Sequence, residues 1–76
     1  MPDLPRLSGK EIVRALEKLG FAQARQRGSH VMMKKSTPEG SIGCVVPMHN
    51  EVAIGTLSSI LKQAKISAEE FIKAAK

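Results

Sequence analysis

The side chains best suited to proton transfer or nucleophilic attack near neutral pH are two histidines, His30 and His49, and one cysteine, Cys44. His30 directly follows a glycine turn in Arg27-Gly28-Ser29-His30. A histidine at a hairpin end, beside an arginine, projects from a rigid turn. Cleavage of an RNA phosphodiester needs a base for the 2′-hydroxyl, an acid for the leaving oxygen and positive charge on the phosphorane. Imidazole, with an ordinary pKa near 6.5, suits either proton-transfer role. Arg25, Arg27, Lys34 and Lys35, close to the same turn, would supply the charge. A lone histidine at the start of a strand is ordinarily a surface residue, so the spacing alone leaves both readings of His30 open.

His49, in Pro47-Met48-His49-Asn50, is open to three readings: an RNA contact, a helix cap or a solvated side chain. Cys44 lies in the apolar run Cys44-Val45-Val46 and reads as a buried strand residue, with no base or helix N-terminus beside it to activate the thiol. Two histidines without Cys or carboxylate at ligand spacing do not make a metal site. Met32, Met33 and Met48 read as packing residues. Walker-type and dinucleotide glycine patterns are missing, as are paired carboxylates, so no metal or cofactor is expected.

The composition narrows the partner. Twelve Lys and Arg oppose seven Asp and Glu, a formal charge of +5. That balance favours an anionic partner, nucleic acid or membrane. A membrane role is not expected. No apolar run approaches the roughly 20 residues of a spanning helix, and no basic cluster flanks an amphipathic helix. Residues 1–7 hold two prolines and no hydrophobic core, so no signal peptide is expected there. With one cysteine and no internal disulfide, the chain reads as cytoplasmic. Trp and Tyr are absent and only two Phe are present. Base stacking is therefore largely unavailable, and phosphate and 2′-hydroxyl contacts must carry any RNA binding.

These residues need elements to hold them. Residues 8–19 read as a helix: Ser8 and Glu11 have the capping-box spacing, Ile12, Ala15, Leu16 and Leu19 share one face, and Gly20 ends it. Residues 21–27 read as a weak strand, with Ala22 and Ala24 on one face and Gln23, Arg25 and Arg27 on the other. Gly28-Ser29 is a two-residue hairpin turn. Residues 30–35 form the return strand, 36–41 a loop marked by Pro38 and Gly40, and 42–46 a β-branched third strand closed by Pro47. Residues 48–52 read as polar and irregular, without an obvious structural task. A second helix starts near Ile54 or Thr56, with Ile54, Leu57, Ile60, Leu61 and Ala64 as its buried stripe. Ser67 and Glu70 then cap a short last helix that carries Phe71 and Ile72 inward.

A chain of this size buries only about 60% of the surface that its unfolded form exposes. It has room for one domain, 1–76, and little for an internal cleft, so chemistry is expected on an open face. The predicted fold is α+β: a three-stranded antiparallel sheet with helices on one face and solvent on the other.

Five blocks in order extend the reading. Leu7-Ser8-Gly9-Lys10-Glu11, Leu19-Gly20-Phe21, Arg25-Gln26-Arg27-Gly28-Ser29-His30, Val46-Pro47-Met48-His49, and Gly55-Thr56-Leu57-Ser58-Ser59-Ile60-Leu61-Lys62-Gln63-Ala64 together resemble the HicA (YcfA-like) family, from Leu7 to about Phe71. The resemblance implies a fold like the double-stranded RNA-binding domain, α-β-β-β-α, to which this chain adds a short C-terminal helix. It also implies an mRNA-cleaving toxin, inhibited by a HicB-type antitoxin. The family's catalytic histidine falls on His30 and its glycine on Gly28. Two departures stand out: Lys65 where members often have Gly before the last Ile-Ser, and an idiosyncratic segment at 36–41. The expected RNA-binding set is Arg25, Arg27, Gly28, Ser29, Lys34, Lys35 and His49. A non-catalytic RNA-binding module is the alternative, and a protein that binds only an acidic partner is a third.

Overall fold

The computed structural model describes residues 3–76; Met1 and Pro2, the start of the N-terminal stretch considered above, lie outside them. The element order is α1 (Gly9–Lys18), β1 (Ala22–Arg27), β2 (His30–Thr37), β3 (Gly40–Pro47), α2 (Ile54–Ala64) and α3 (Ala68–Ala75). This is the expected α+β order, α-β-β-β-α, with an added C-terminal helix. The strands form one antiparallel sheet in the order β1-β2-β3.

Both predicted capping boxes form. The Ser8 hydroxyl accepts from the Glu11 N–H at 3.1 Å, and the Glu11 carboxylate accepts from the Ser8 N–H at 3.0 Å. Ser67 and Glu70 repeat the arrangement at α3. Each box satisfies two of the amides that a helix start leaves without partners. Gly20, at φ +97°, lets the chain leave α1 in a conformation that other residues resist.

One face of the sheet makes the core. Val31 and Met33 of β2 and Cys44 and Val46 of β3 pack with Ile12, Leu16, Leu57, Ile60 and Phe71 from the helices. Helices α1 and α2 cover this face, and α3 packs on α1 and α2. The opposite face is uncovered, as the patterning predicted.

Two strand expectations need correction. The segment 36–41, read as a loop, is mostly paired: Ser36 faces Ser41 and Thr37 faces Gly40, leaving Pro38 and Glu39 as the turn. The loop-marking residues were real turn signals, but a two-residue turn needs few of them, and Ser and Thr pair readily across antiparallel strands. In β1, the register shifts between Gln23 and Arg25. The extra residue, Ala24, breaks the alternation, so Gln23 pairs with buried Met33 while Arg25 pairs with exposed Met32. Gln23 and Arg25 therefore do not share a face.

Residues 48–52 also have a structural task. Val52 is buried in the core, Met48 packs against it, and the Val52 N–H donates to the Leu7 carbonyl at 2.8 Å. Two apolar residues in an irregular segment leave no periodic trace in the sequence.

Lys65 closes α2. It takes the left-handed conformation, φ +57° and ψ +42°, while the Ile66 N–H donates back to the Leu61 carbonyl at 3.0 Å. Glycine occupies such positions without strain; a residue with a Cβ does so at a cost of about 1–2 kcal/mol, partly offset by glycine's greater freedom in the unfolded chain. Lys65→Gly is expected to stabilise the domain by about 0.5–1 kcal/mol, a Tm gain of roughly 2–8 °C. Urea and thermal denaturation check this; an unchanged or lowered midpoint would show that no strain is held there.

Cys44 is a core residue, as the apolar run predicted, and burial raises its thiol from 9.0 to about 11. A thiol harder to ionise when folded adds stability that is complete below about pH 9. That contribution disappears as pH rises through about 11, because the unfolded chain ionises first. The stability difference between the native protein and Cys44→Ala should therefore narrow between those values, by at most about 2–3 kcal/mol. Denaturation curves across the alkaline range test it, and a constant difference would refute it.

Candidate functional site

The uncovered face can be built row by row, because residues directly opposite in antiparallel strands project to the same side. At the turn end, His30 stands between Arg27 of β1 and Pro47 of β3. The next row on this face is Arg25, Met32 and Val45, and beyond it Ala22, Lys34 and Gly43. Lys34 lies across Gly43, its Cγ 3.8 Å from where a Cβ would sit.

Three of the expected cations, Arg25, Arg27 and Lys34, thus share a face with His30. Lys35 does not. It faces the helices, with its Nζ 5.9 Å from the centroid of the Phe21 ring, and it lies roughly 16 Å along the strand from His30. The strict alternation of β2 separates the two neighbouring lysines.

The turn that presents His30 is specified locally. Gly28 has φ +58°, and no atom lies within 4 Å of where its Cβ would be. The turn therefore requires glycine for its backbone and is open around it. The Gln26 side-chain amide donates to the Gly28 carbonyl at 3.3 Å. The Ser29 carbonyl accepts from the Met48 N–H at 2.6 Å, which carries the β2–β3 pairing past the end of the strand. The His49 carbonyl in turn accepts from the Gly9 N–H at 2.9 Å. His30, Ser29 and His49 are all exposed at this end.

Two features here escaped the sequence reading. Gly9 is buried, and a Cβ on it would overlap the Pro47 carbonyl oxygen and come within 2.7 Å of the Met48 Cα. Glycine at the first position of α1 lets the helix start rest directly on the end of β3. The second feature is apolar: Met32 and Val45, cross-strand partners 38% and 39% exposed, sit at the middle of the cationic face. A strand alternation read without its partner strand does not show that two such residues adjoin.

The charge is strongly sorted. The three strands carry Arg25, Arg27, Lys34, Lys35 and His30 and not one carboxylate. The acidic side chains lie on the helices, the N-terminal strap, the 38–39 turn and the 48–52 segment. Among the described residues the only ion pair is Arg6–Glu51 at 3.2 Å, on the outside of the strap, so the cations of the sheet are unpaired. A face of unpaired cations has the electrostatics that favour an anionic partner.

The arrangement suits proton transfer in an open site. The described residues bring no three His, Cys, Asp or Glu side chains together, and the Cys44 thiol points into the core. The hollows on the helix side, one lined by Glu11, Arg14, Lys18 and Ala74 and one by Lys10, Glu17, Gln23 and Met48, do not include His30. No helix among the described residues is long and apolar enough to cross a membrane.

A family model described as the HicA toxin of bacterial toxin–antitoxin matches residues 9–66. The match runs from the first residue of α1 to just past the end of α2 and includes the whole sheet. No curated protein matches the chain.

Proposed function

The chain belongs to the HicA toxin family of bacterial toxin–antitoxin systems, and we propose that it is a cytoplasmic, metal-independent endoribonuclease that cleaves mRNA with His30 as its catalytic residue. The observation that carries this reading is the place of His30: exposed, at the end of a glycine turn, directly opposite Arg27, on a sheet face without a carboxylate. An RNA strand lies along this face. Arg25, Arg27 and Lys34 contact phosphate, and Gly28 and Ser29 allow the sugar–phosphate backbone close to the turn. The His30 imidazole exchanges a proton with the reacting phosphodiester, and the guanidinium of Arg27 offsets charge on the phosphorane. With both Phe buried and no Tyr or Trp in the chain, the face reads backbone more than base.

The same face would serve a module that binds RNA without cleaving it. Purified protein incubated with RNA separates the two. His30→Ala should lower cleavage at least about 10²-fold and relieve growth inhibition, while stability moves by about 0.5 kcal/mol or less, because the side chain is exposed. Cleavage by the native protein should persist in excess EDTA. A folded His30→Ala variant with full activity would falsify the mechanism, and activity lost to chelation and restored by Mg²⁺ or Zn²⁺ would point to a metal.

The natural inhibitor of such a site is a HicB-type antitoxin that covers it. Met32 and Val45, ringed by Arg25, Arg27 and Lys34, have the layout of a protein interface, an apolar centre within a charged rim. An acidic antitoxin docked there buries His30 and displaces RNA. Its association rate should fall as salt rises, since exposed charges are screened beyond about 8 Å at physiological ionic strength. Stopped-flow association and RNA competition test this. An antitoxin that leaves RNA affinity unchanged in the ternary mixture would show that it acts from elsewhere.

A further inference from the structure

In-line cleavage of RNA sets a requirement that one imidazole does not meet. The 2′-oxygen attacks phosphorus from one side and the 5′-oxygen leaves from the other. The group that takes the 2′ proton and the group that protonates O5′ therefore stand on opposite sides of the phosphorus. His30 fills one position. The second group must titrate near neutral pH and stand within reach of the same phosphate.

Most candidates fail on the geometry already described. Arg25 and Arg27 offer guanidinium groups, which supply charge and hydrogen bonds and not a proton-accepting atom. Lys34 is four residues along β2 from His30, roughly 13 Å. Cys44 is buried on the other face. The strands hold no carboxylate, and Glu51 is engaged with Arg6 at 3.2 Å.

His49 remains, and the backbone places it well. His30 pairs with Pro47, and the Met48 N–H still bonds to the Ser29 carbonyl, so His49 stands two residues past the partner of His30. Such diagonal neighbours lie about 7–8 Å apart, within reach of large side chains. Alternation supports the same face. The Met48 side chain goes to the helix side, where its Sδ lies 3.1 Å from the Cβ position of Gly9, and alternation carried two residues past the end of β3 would turn His49 towards the side of His30. The residue is fixed through its main chain, by the Gly9 N–H on its carbonyl, and its exposed side chain is free to act.

We propose that His49 is the second proton-transfer group of the site, paired with His30 across the scissile phosphate. The inference rests on the ribonuclease reading above. One imidazole removes the 2′-hydroxyl proton as that oxygen's electron pair bonds to phosphorus. The other, as imidazolium, gives its proton to O5′ as the P–O5′ bond breaks and its electron pair leaves with the oxygen. The products are a 2′,3′-cyclic phosphate and a 5′-hydroxyl. The two histidines end with exchanged protonation states, and solvent restores them. Neither a metal nor a co-reactant is consumed.

The test uses the purified chain and a short RNA with one cleavable linkage, in its normal form and with sulfur replacing the bridging O5′. A thiolate leaves without protonation, so the sulfur substrate bypasses the acid. His49→Ala should lower kcat/KM on normal RNA by about 10²–10⁴-fold, while affinity for a 2′-O-methyl analogue changes by less than about threefold. On the sulfur substrate, one of His30→Ala and His49→Ala should regain near-native rates and the other should not. Three results would overturn the assignment: His49→Ala that cleaves like the native protein, a loss confined to affinity, or no rescue of either variant. If the native protein cleaves neither RNA, the ribonuclease reading itself fails. If only His30→Ala loses activity, that reading stands and the role of His49 falls.

Discussion

The contact on which the working end of this molecule depends is backbone against backbone: the start of α1 laid on the end of β3. A Cβ at Gly9 would collide with the Pro47 carbonyl, so the approach exists only because that position is glycine. It permits the Gly9 N–H to reach His49, in the same region where the Met48 N–H reaches Ser29. Helix start, hairpin turn and strand exit are thereby joined by main-chain hydrogen bonds, each satisfied inside the protein. A domain with a core this thin has few other ways to hold a turn still. The backbone at this end is thus fixed while the side chains of His30 and His49 stay exposed.

Charge follows from the same economy. The helices carry mixed charge on their outer sides, where Glu11, Glu69 and Glu70 also serve the helix starts. The sheet carries only cations. Because β2 alternates without interruption, it divides its own lysines, Lys34 to the open face and Lys35 to Phe21. The cations nearest His30 on its face are Arg27, its cross-strand partner, and Arg25 in the next row. The rest of the formal charge acts at longer range, as attraction for a polyanion.

Much of this was legible in the sequence, for reasons that differ by element. The capping boxes at Ser8 and Ser67 are local, so four residues suffice to read them. The same holds for Gly28-Ser29, where the turn demands glycine. The helical stripes and the apolar third strand follow from period. What was hidden depends on partners. In β1 all six residues are exposed, so no hydrophobic alternation exists to reveal that Ala24 is a bulge. Residues 36–41 carry loop-type residues that register, set by the Pro38–Glu39 turn, converts to strand. Val52 is a buried apolar residue in an irregular segment, without a period to reveal it. The neighbourhood of His30 and His49 is not visible at all until Pro47 is seen opposite His30.

The bulge at Ala24 has one more effect. Strand β1 is an edge of the sheet, with β2 on one side only. An exposed edge invites another strand, and the apolar pair Met32–Val45 invites another face. The extra residue kinks the edge, which disrupts a continuous ladder. The kink also moves Arg25 to the open side, so two molecules meeting there, edge to edge or face to face, bring guanidinium against guanidinium. The bulge that turns Arg25 to the open face is therefore also what interrupts the exposed edge of β1.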